Sequence, residues 1–577
     1  MPSSTHGRAR EHRDALPFRF YQERARTVAD QDSGLSLLNQ LVRGRISRRD
    51  ALKRGAMIGL GTSALATLAG IGGQSASAQD ATPAATPATR VVPAGDVTWG
   101  LETVVPDIIP FGGIALAEWQ GKEFLYDSLM AWDADLKVIP ALAESFENPD
   151  DLTYLFHLRG GVKFHDGTIM SAKDVKYSLD TALNPPAPGV KVPYIANIVS
   201  VDVVDDLTVK ITMSKIDPTL PGIFAWTNYT PIVPAGLLEK MDTLSNGIGT
   251  GPYKLVEFNP NDSVVYEAFA DHWNPSAPSL AKLTLKMQPD PASRVTSVQT
   301  GETIGTTLTS DLAGQFDGKA DFTVLSGLTS APQVIQFSMV NAAPWRDIKV
   351  RQAINFAIDR QEIIDNVFAS NAELTGVIPP GYGDWPLSND ELAAGYKQDV
   401  ARATQLMKDA GMEAGFKVEL QAIADPAQYT QIAEIVKEQL KAINIDVTVQ
   451  PLEIGTFAKN IGKGTFEWAS TARGMRGDPS GHVVDFRSGT ANNKVWFGDG
   501  WKNDELDKLY DEALATLDQA KRHANYTRIQ QIILDEVPNL YTVQPKKYQV
   551  VSNKLQGMYV FYGNTNPGLR TATLKPA

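Results

Sequence analysis

Residues Gln336–Phe368, with the sequence QFSMVNAAPWRDIKVRQAINFAIDRQEIIDNVF, predict a short strand followed by two capped helices. Apolar and polar residues alternate over Gln336–Val340, which is typical of a strand. Asp347 can cap the first helix, and Asp359, with Glu362 three residues later, resembles a capping box for the second. A crossing strand followed by a helix pair suits a hinge between two lobes. An ordinary strand-to-helix joint inside one domain gives the same pattern, so both readings stay open here.

The length of the chain favours two lobes. Hydrophobic cores stop growing at roughly 250–300 residues, and this chain has 577. Residues 1–78 carry 12 Lys and Arg against 6 Asp and Glu, which leaves 42 against 60 in the remainder. This acidic body argues against nucleic acid as a partner. The chain has no cysteine, which excludes disulfides, thiolate metal sites, a cysteine nucleophile and a lipid-anchored cysteine.

The N-terminal region resembles a twin-arginine export signal. Arg48 and Arg49 precede a weakly apolar run, Ala56–Ile71, and the small-x-small pattern Ala76–Ala78 follows. Ala51 stands where this signal usually carries a bulky apolar residue. The alternatives are a cytosolic helix with a chance arginine pair, or a retained membrane anchor. We expect a protein in the periplasm or at the cell surface, either soluble or held by an uncleaved signal, and not a cysteine lipoprotein.

Local patterns predict several elements of the folded body. Trp119–Leu129 fits a helix, and Thr153–Leu158 alternates as a strand. Ser171, with Asp174 three residues later, can start a helix. Phe416–Ala422, an amphipathic helix and Ile445–Val449 together predict a parallel β-α-β unit with a right-handed crossover.

The most specific run is LAESFENPDDLTYLFHLRGGVKFHDGTIMSAKDVKYSLD, residues 142–180. It resembles the signature of the family 5 extracellular solute-binding proteins, the dipeptide-, oligopeptide- and nickel-type receptors of ABC importers. Further pieces follow in the family's order: Gly249–Leu255, Asp271–Asn274, Asp347–Arg360, Asp399–Ala403 and Glu536–Pro538. The similarity spans roughly residues 97–570.

This resemblance implies an α/β, two-lobed periplasmic-binding-protein fold that is type II-like, with an extra subdomain in the first lobe and a two-strand hinge. The expected organisation is an N-terminal extension with the export signal at 1–78 and a disordered linker at 79–95. Lobe 1 would comprise 96–340 and 540–577, with an inserted subdomain at about 131–245. Lobe 2 would comprise 341–539.

The function that the resemblance implies is delivery of a peptide-like or other small organic solute to the membrane permease of an ABC importer. We expect a monomer that is not an enzyme and that needs no cofactor or metal. The alternatives are a secreted hydrolase, or a sensor on the same fold without a permease. The sequence lacks the H-E-x-x-H, G-x-S-x-G and phosphate-loop patterns that would favour catalysis.

The candidate binding loop lies in Thr465–Phe497, which is rich in Gly, Arg and aromatic residues. In dipeptide-type receptors, a carboxylate shortly before an Asp-Pro pairs with the ammonium group of the peptide. Here that place falls near Met475, so Arg473 or Arg476 could instead bind a carboxylate or phosphate. Asp478 matches the Asp-Pro and would shape the turn. Arginines on a solvated loop are the alternative.

Other ligand-binding candidates are chosen for their aromatic or polar side chains near the predicted cleft, where peptide and sugar sites need aromatic walls and a few placed polar groups. Each of these residues taken alone is more typical of a core position, and they favour ligand contact only as a set in loops near the predicted cleft. They are Glu102, Thr103, Trp226, Tyr229, Tyr382, Trp385, Trp468, Trp496 and Phe497.

Overall fold

The computed structural model describes residues 90–113, 116–185, 191–239, 247–474 and 477–576. The predicted export signal and most of the predicted linker lie outside the described residues. Everything described belongs to one compact unit. In this part of the chain, no helix combines the length and the apolarity needed to cross a bilayer.

The first sheet has eight strands and is mostly antiparallel. Its parallel pairs join Asp96–Leu101 to the strands on either side of it. In order across the sheet, the strands are Phe322–Leu328, Val543–Ser552, Gly305–Leu308, Asp96–Leu101, Lys282–Met287, Ser263–Ala268 and Tyr253–Asn259, and Ala372–Leu374 also pairs with Val543–Ser552.

The second sheet has five strands, in the order Ile445–Leu452, Phe416–Ile423, Trp468–Ala472, Gln333–Phe337 and Asn539–Tyr541. Its first two strands are parallel and are connected by the helix Gln428–Leu440, which confirms the predicted β-α-β unit.

A small four-stranded sheet forms a separate layer in the N-terminal half, in the order Ala143–Asp150, Thr153–Leu158, Thr208–Met213 and Ile198–Asp205. The predicted strand Thr153–Leu158 is confirmed, and its residues alternate between half-buried and buried. The short pairs Met130–Trp132 with Val138–Pro140, and Leu555–Gln556 with Thr573–Leu574, complete the strands described.

The α-helices cover the sheets and are amphipathic or short. They are Leu116–Lys122, Ala172–Leu183, Leu220–Ile223, Pro291–Thr300, Ser310–Ala313, Ile348–Ala357, Arg360–Phe368, Asn389–Tyr396, Val400–Asp409, Gln428–Leu440, Ile454–Lys463, Ser480–Val483, Ala491–Trp496, Asp504–Leu514 and Gln519–Glu536. The predicted start of Ala172–Leu183 is confirmed, because the Asp174 carboxylate accepts a hydrogen bond from the Ser171 amide at 2.8 Å.

Each large sheet has its own hydrophobic core. One core joins the second sheet to the helices of residues 348–537, and the other joins the first sheet to the small sheet. The chain runs directly from one large sheet to the other between Leu328 and Gln333 and between Tyr541 and Val543. Between two strands of the second sheet it also contributes the short strand Ala372–Leu374 to the first sheet.

The strand of the opening stretch lies earlier than predicted. It spans Gln333–Phe337 and is an inner strand of the second sheet, with all five residues buried. The two following helices begin at the predicted caps, since Asp347 and Asp359 accept hydrogen bonds from the amides of Lys349 and Gln361. The second sheet thus extends beyond the predicted lobe 2 range, 341–539, at both ends. The assignment of whole lobes stays a prediction.

The helix predicted over Trp119–Leu129 is wrong beyond Lys122, where the chain leaves the helix in a turn. The carbonyl of Leu129 accepts hydrogen bonds from the amides of Ala141 and Ala143, so this part of the backbone is paired with a distant segment instead. The turn places Glu123 and Asp127 close to the C-terminal segment of the chain.

Candidate functional site

A cavity of about 370 Å³ lies between the loop after strand Trp468–Ala472 and the segment after the small sheet. Its walls therefore come from segments that follow strands of different sheets, as expected of a binding cleft. It is lined by Tyr194, Thr219, Ile223, Tyr229, Gly477, Asp478, Ser480 and Gly481.

The two walls of this cleft touch at a pair of glycines. A Cβ atom placed on Gly222 would lie 2.6 Å from the carbonyl oxygen of Gly477. A Cβ atom on Gly477 would lie 3.1 Å from Nε1 of Trp226 and 3.2 Å from Cδ1 of Ile223. Only residues without a side chain allow this approach of one backbone to the other.

Asp478 fixes the second wall of the cleft. Both of its carboxylate oxygens accept hydrogen bonds from Nη2 of Arg522 at 2.7 Å, and Oδ1 also accepts from the Ser480 amide at 2.9 Å. The Arg522 side chain is 2% exposed and that of Asp478 is 11% exposed. Asp478 therefore shapes the turn, as its position in the sequence suggests.

Arg473 is engaged within the protein. Its guanidinium forms an ion pair with Asp485 at 3.0 Å, donates to Oε1 of Gln336 at 3.1 Å and lies 4.5 Å from the ring centre of Trp496. Arg476, the second predicted arginine, lies outside the described residues, as does Met475.

An aromatic cluster borders the first wall. The ring centres of Trp119 and Trp226 are 4.5 Å apart. The ring of Trp226 also packs against those of Trp132 and Tyr229, with distances between ring centres of 6.3 Å and 5.5 Å. Phe561, from the C-terminal segment, packs edge-on against Trp119 at 6.2 Å. Such a surface offers both apolar contact area and π faces to a solute.

Two indole N–H groups of this cluster have no hydrogen-bond acceptor among the described residues. Nε1 of Trp119 donates to Thr227 at 3.1 Å, but the buried Nε1 atoms of Trp132 and Trp226 donate to no protein atom. Trp226 is only 3% exposed. Buried donors usually find an acceptor, so an oxygen atom of a ligand that reached these two groups would satisfy them.

Thr103 belongs to a polar network near the crossings between the sheets. Its hydroxyl donates to Gln120, whose Nε2 donates to the carbonyl of Asn564 at 3.0 Å. Lys547 donates to Glu102 at 2.9 Å. Burial would raise the pKa of Glu102, but the charge of Lys547 and the hydrogen bonds to the carboxylate together outweigh burial and lower it, so Glu102 is ionised.

A second cavity, of about 470 Å³, lies beside the aromatic cluster. Trp119 and Trp132 contribute to its wall, and three charged residues line it: Glu123, Asp127 and Arg570. Burial raises the pKa of Glu123 to about 7, although the Asn566 amide and the nearby charges of Arg570 and Lys547 act in the opposite direction.

Two of the predicted binding residues lie in the core. Trp468 and Phe497 are completely buried, and they pack against Phe337 and Phe486. They stabilise the second sheet and its helices, and they are not part of the cleft surface.

The other three aromatic candidates of this part are also engaged inside the protein. Trp496 donates from Nε1 to the carbonyl of Ile461 at 3.0 Å. Tyr382 packs edge-on against His482 at 4.9 Å, and Trp385 packs against Tyr526 at 5.9 Å. The structure therefore brings Tyr229 and Asp478 to the cleft and Trp226 next to it, against Gly477, but not Trp468 or Phe497.

Sequence reasoning missed Gly222, Gly477, Trp132, Glu123 and Phe561 as site residues. A glycine pair at a contact between distant segments has no local signature. The aromatic run 559–562, near the C-terminus, was a usable signal for Phe561.

The described residues contain no group of three or more His, Asp or Glu side chains arranged to hold a metal ion. The three buried histidines among the described residues, His165, His272 and His482, all contact other protein groups, and His482 packs edge-on against Tyr382. His165 contacts the carbonyls of Gly247 and Gly251, and His272 contacts the carboxylate of Asp127 at 3.2 Å.

Comparisons with known proteins agree with this architecture. The model of the bacterial extracellular solute-binding proteins, family 5 (middle), matches residues 137–494. The chain is 30% identical over 471 residues to the glutathione-binding protein GsiB of Salmonella typhi, an alignment that covers 77% of this chain and 88% of that protein. It is 28% identical over 467 residues to GsiB of Escherichia coli K12, with the same coverage.

Solved structures share the fold. HbpA2 from Haemophilus parasuis superposes with a TM-score of 0.73 at 21% identity, over 84% of this chain and 100% of that chain. The periplasmic binding protein DppA from Helicobacter pylori, in complex with the peptide STSA, gives a TM-score of 0.68 at 23% identity, over 84% and 99%. The predicted α/β periplasmic-binding-protein fold is thereby confirmed.

Proposed function

Because the chain belongs to the family 5 bacterial extracellular solute-binding proteins, which are receptors of ABC importers and not enzymes, we propose that it captures a short peptide or glutathione-like solute by closure of two lobes. Its partner would be the membrane permease of that importer. The main support is the cleft whose walls, 219–229 and 477–481, follow strands of different sheets. The glutathione-binding relatives favour a peptide-like solute.

The unpaired indole groups of Trp132 and Trp226 suit such a solute, because each can donate to a carbonyl or carboxylate oxygen. We propose Trp226, Tyr229 and Thr103 as contact residues, with Arg476 as a candidate partner for a ligand carboxylate. Arg473 and Asp478 would act by holding the loop in place. A sensor on the same fold remains the alternative, which transport by the reconstituted permease would exclude.

Closure can be tested through the glycine contact. We expect Gly222→Ala to weaken solute binding roughly ten- to hundredfold, because overpacking costs about 1–3 kcal/mol and would act on the conformation in which Gly222 meets Gly477. The solute is identified by native mass spectrometry of the purified protein, and binding of that solute, glutathione and Ala-Ala-Ala is measured by calorimetry. Small-angle scattering then reports whether the radius of gyration falls on binding.

Gly462→Ala is the matched control, since a Cβ atom there would meet no described atom within 4 Å. Equal affinities of the Gly222 and Gly462 variants would contradict closure at this contact. Failure of every solute to bind and to change the radius of gyration would contradict the proposed function, and release of a cleaved solute would favour the hydrolase.

The export route is also a proposal, supported by the adjacent arginines before the apolar run. Replacement of Arg48 and Arg49 by Lys should keep most of the protein in the cytoplasmic fraction, because the twin-arginine signal is read by a receptor and not through charge alone. Replacement of Arg43 and Arg45 by Lys is the control and should leave export unchanged. Normal export of the first variant, measured by fractionation and immunoblotting, would exclude this route.

A further inference from the structure

The cavity of about 470 Å³ beside the aromatic cluster is separate from the cleft at the glycine pair, since no residue lines both. Trp119, Trp132 and Phe561 give it three aromatic walls. Its charged lining is acidic overall, with the carboxylates of Glu123 and Asp127 and the guanidinium of Arg570.

Asp127 is occupied by the protein. Its Oδ2 accepts hydrogen bonds from Trp273 at 2.8 Å and from His272 at 3.2 Å, and its Oδ1 forms an ion pair with Arg570. The charge of Arg570 opposes burial and keeps the pKa of Asp127 below its ordinary value. Asp127 and Arg570 therefore neutralise each other, and neither needs a charge from a ligand.

Glu123 is different. It is 3% exposed, it accepts a hydrogen bond from the Asn566 amide at 3.0 Å, and it forms no ion pair with any described residue. A buried carboxylate without a cation is unfavourable, because desolvation is not compensated by an opposite charge. Strongly perturbed carboxylates of this kind concentrate at functional sites.

The groups around Glu123 do not supply the missing positive charge. Arg570 is paired with Asp127, and Lys547 is paired with Glu102. The hydroxyls of Tyr266 and Tyr559 stay neutral at physiological pH, since burial raises the pKa of both, that of Tyr559 to about 12. A positive charge that enters the cavity would therefore find one unpaired carboxylate.

We propose that this cavity binds a cationic group of the solute, either a primary ammonium or a guanidinium. The cation would pair with the carboxylate of Glu123 and pack against the rings of Trp119, Trp132 and Phe561. The combination suits a cation because the carboxylate supplies a charge-assisted hydrogen bond and the rings supply cation–π attraction. This inference rests on the proposed function, and it narrows the solute to those that carry a basic group.

The first experiment needs no peptide. Saturation-transfer NMR measures the affinity of the protein for n-butylammonium and for n-butanol at pH 8. We expect n-butylammonium to bind at least about tenfold more tightly, as one charge-assisted contact in a buried site implies. Glu123→Gln should abolish the preference, and Phe561→Leu should weaken ammonium binding while leaving Glu123 in place.

The second experiment uses calorimetry with N-acetylated Ala-Lys-Ala and with N-acetylated Ala-norleucine-Ala, which has no ammonium group and whose norleucine side chain resembles lysine in shape. The lysine peptide should bind more tightly, with a preference that grows from pH 6 to pH 8 as Glu123 ionises, and this growth should vanish in Glu123→Gln. Burial raises the pKa of Glu123 to about 7, so binding near that pH should also release protons.

The outcomes separate the two proposals. If n-butylammonium shows the preference but no peptide binds, the cavity assignment holds and the peptide function fails. If both peptides bind equally and n-butylammonium behaves like n-butanol, the peptide function holds and the cavity assignment is wrong. A preference that survives in Glu123→Gln also overturns it, and absence of all binding overturns both.

Discussion

Replacement of Arg522 by Ala should lower the free energy of unfolding by about 3–5 kcal/mol, because it removes one partner of a buried ion pair and leaves a carboxylate without its cation. The Asp478 carboxylate receives two hydrogen bonds of 2.7 Å from Arg522, and the Arg522 side chain is 2% exposed. Burial would lower the pKa of Arg522, but Asp478 and Tyr526 together outweigh burial and raise it. Urea denaturation followed by circular dichroism measures the loss.

The same helix offers a matched control. Arg528 pairs with Glu505 at 2.8 Å, but both side chains are about half exposed, so Arg528→Ala should cost no more than about 1 kcal/mol. Similar losses in the two variants would show that the Asp478 pair is not the stabilising contact. In the double variant of Arg522 and Asp478, the loss should be smaller than the sum of the two single losses.

The consequence for binding follows from the position of Asp478. This residue is adjacent to Gly477, which touches Gly222 across the cleft. The ion pair between Arg522 and Asp478 therefore holds the backbone of the second wall in position. The Arg522 variant should therefore also bind solute more weakly at temperatures where it is still folded, whereas the Arg528 variant should not.

The elements that the sequence predicted well are those with a local cause. The strand Thr153–Leu158 follows from alternation, and the helix after Ser171 follows from a cap whose two partners lie three residues apart. The strand Gln333–Phe337 was placed too late, because both of its faces are buried and its polar residues give no boundary. Alternation indicates position only where one face meets solvent.

The binding surface was harder to predict because it depends on contacts between distant segments. Trp468 and Trp226 look alike in the sequence, yet one lies in a strand of the second sheet and is buried in its core, whereas the other lies beside the cleft. Phe561 meets Trp119 from the opposite end of the described chain. No periodicity encodes such a meeting, and only the family resemblance directed attention to the cleft.

Glu123 should make the protein less stable as the pH rises. The pKa of this carboxyl is raised by burial from 4.5 to about 7 in the folded state, so between these values the unfolded chain ionises while the folded chain keeps its proton. The free energy of unfolding therefore falls as the pH rises, by about 3 kcal/mol once the pH is above 7. Glu123→Gln, which is uncharged and similar in shape, should lack this loss.

The measurement is urea unfolding of both proteins from pH 4.5 to pH 8, with Glu434→Gln, an exposed helix position, as the control. The native protein should lose about 3 kcal/mol more than the Glu123 variant over this range, and the control should follow the native profile. Parallel profiles for all three proteins would mean that Glu123 has an ordinary pKa and that neighbouring groups balance the charge of its carboxylate. A difference confined to Glu123→Gln would instead identify a buried acid whose charge the folded protein leaves unpaired, the condition that a cationic solute would relieve.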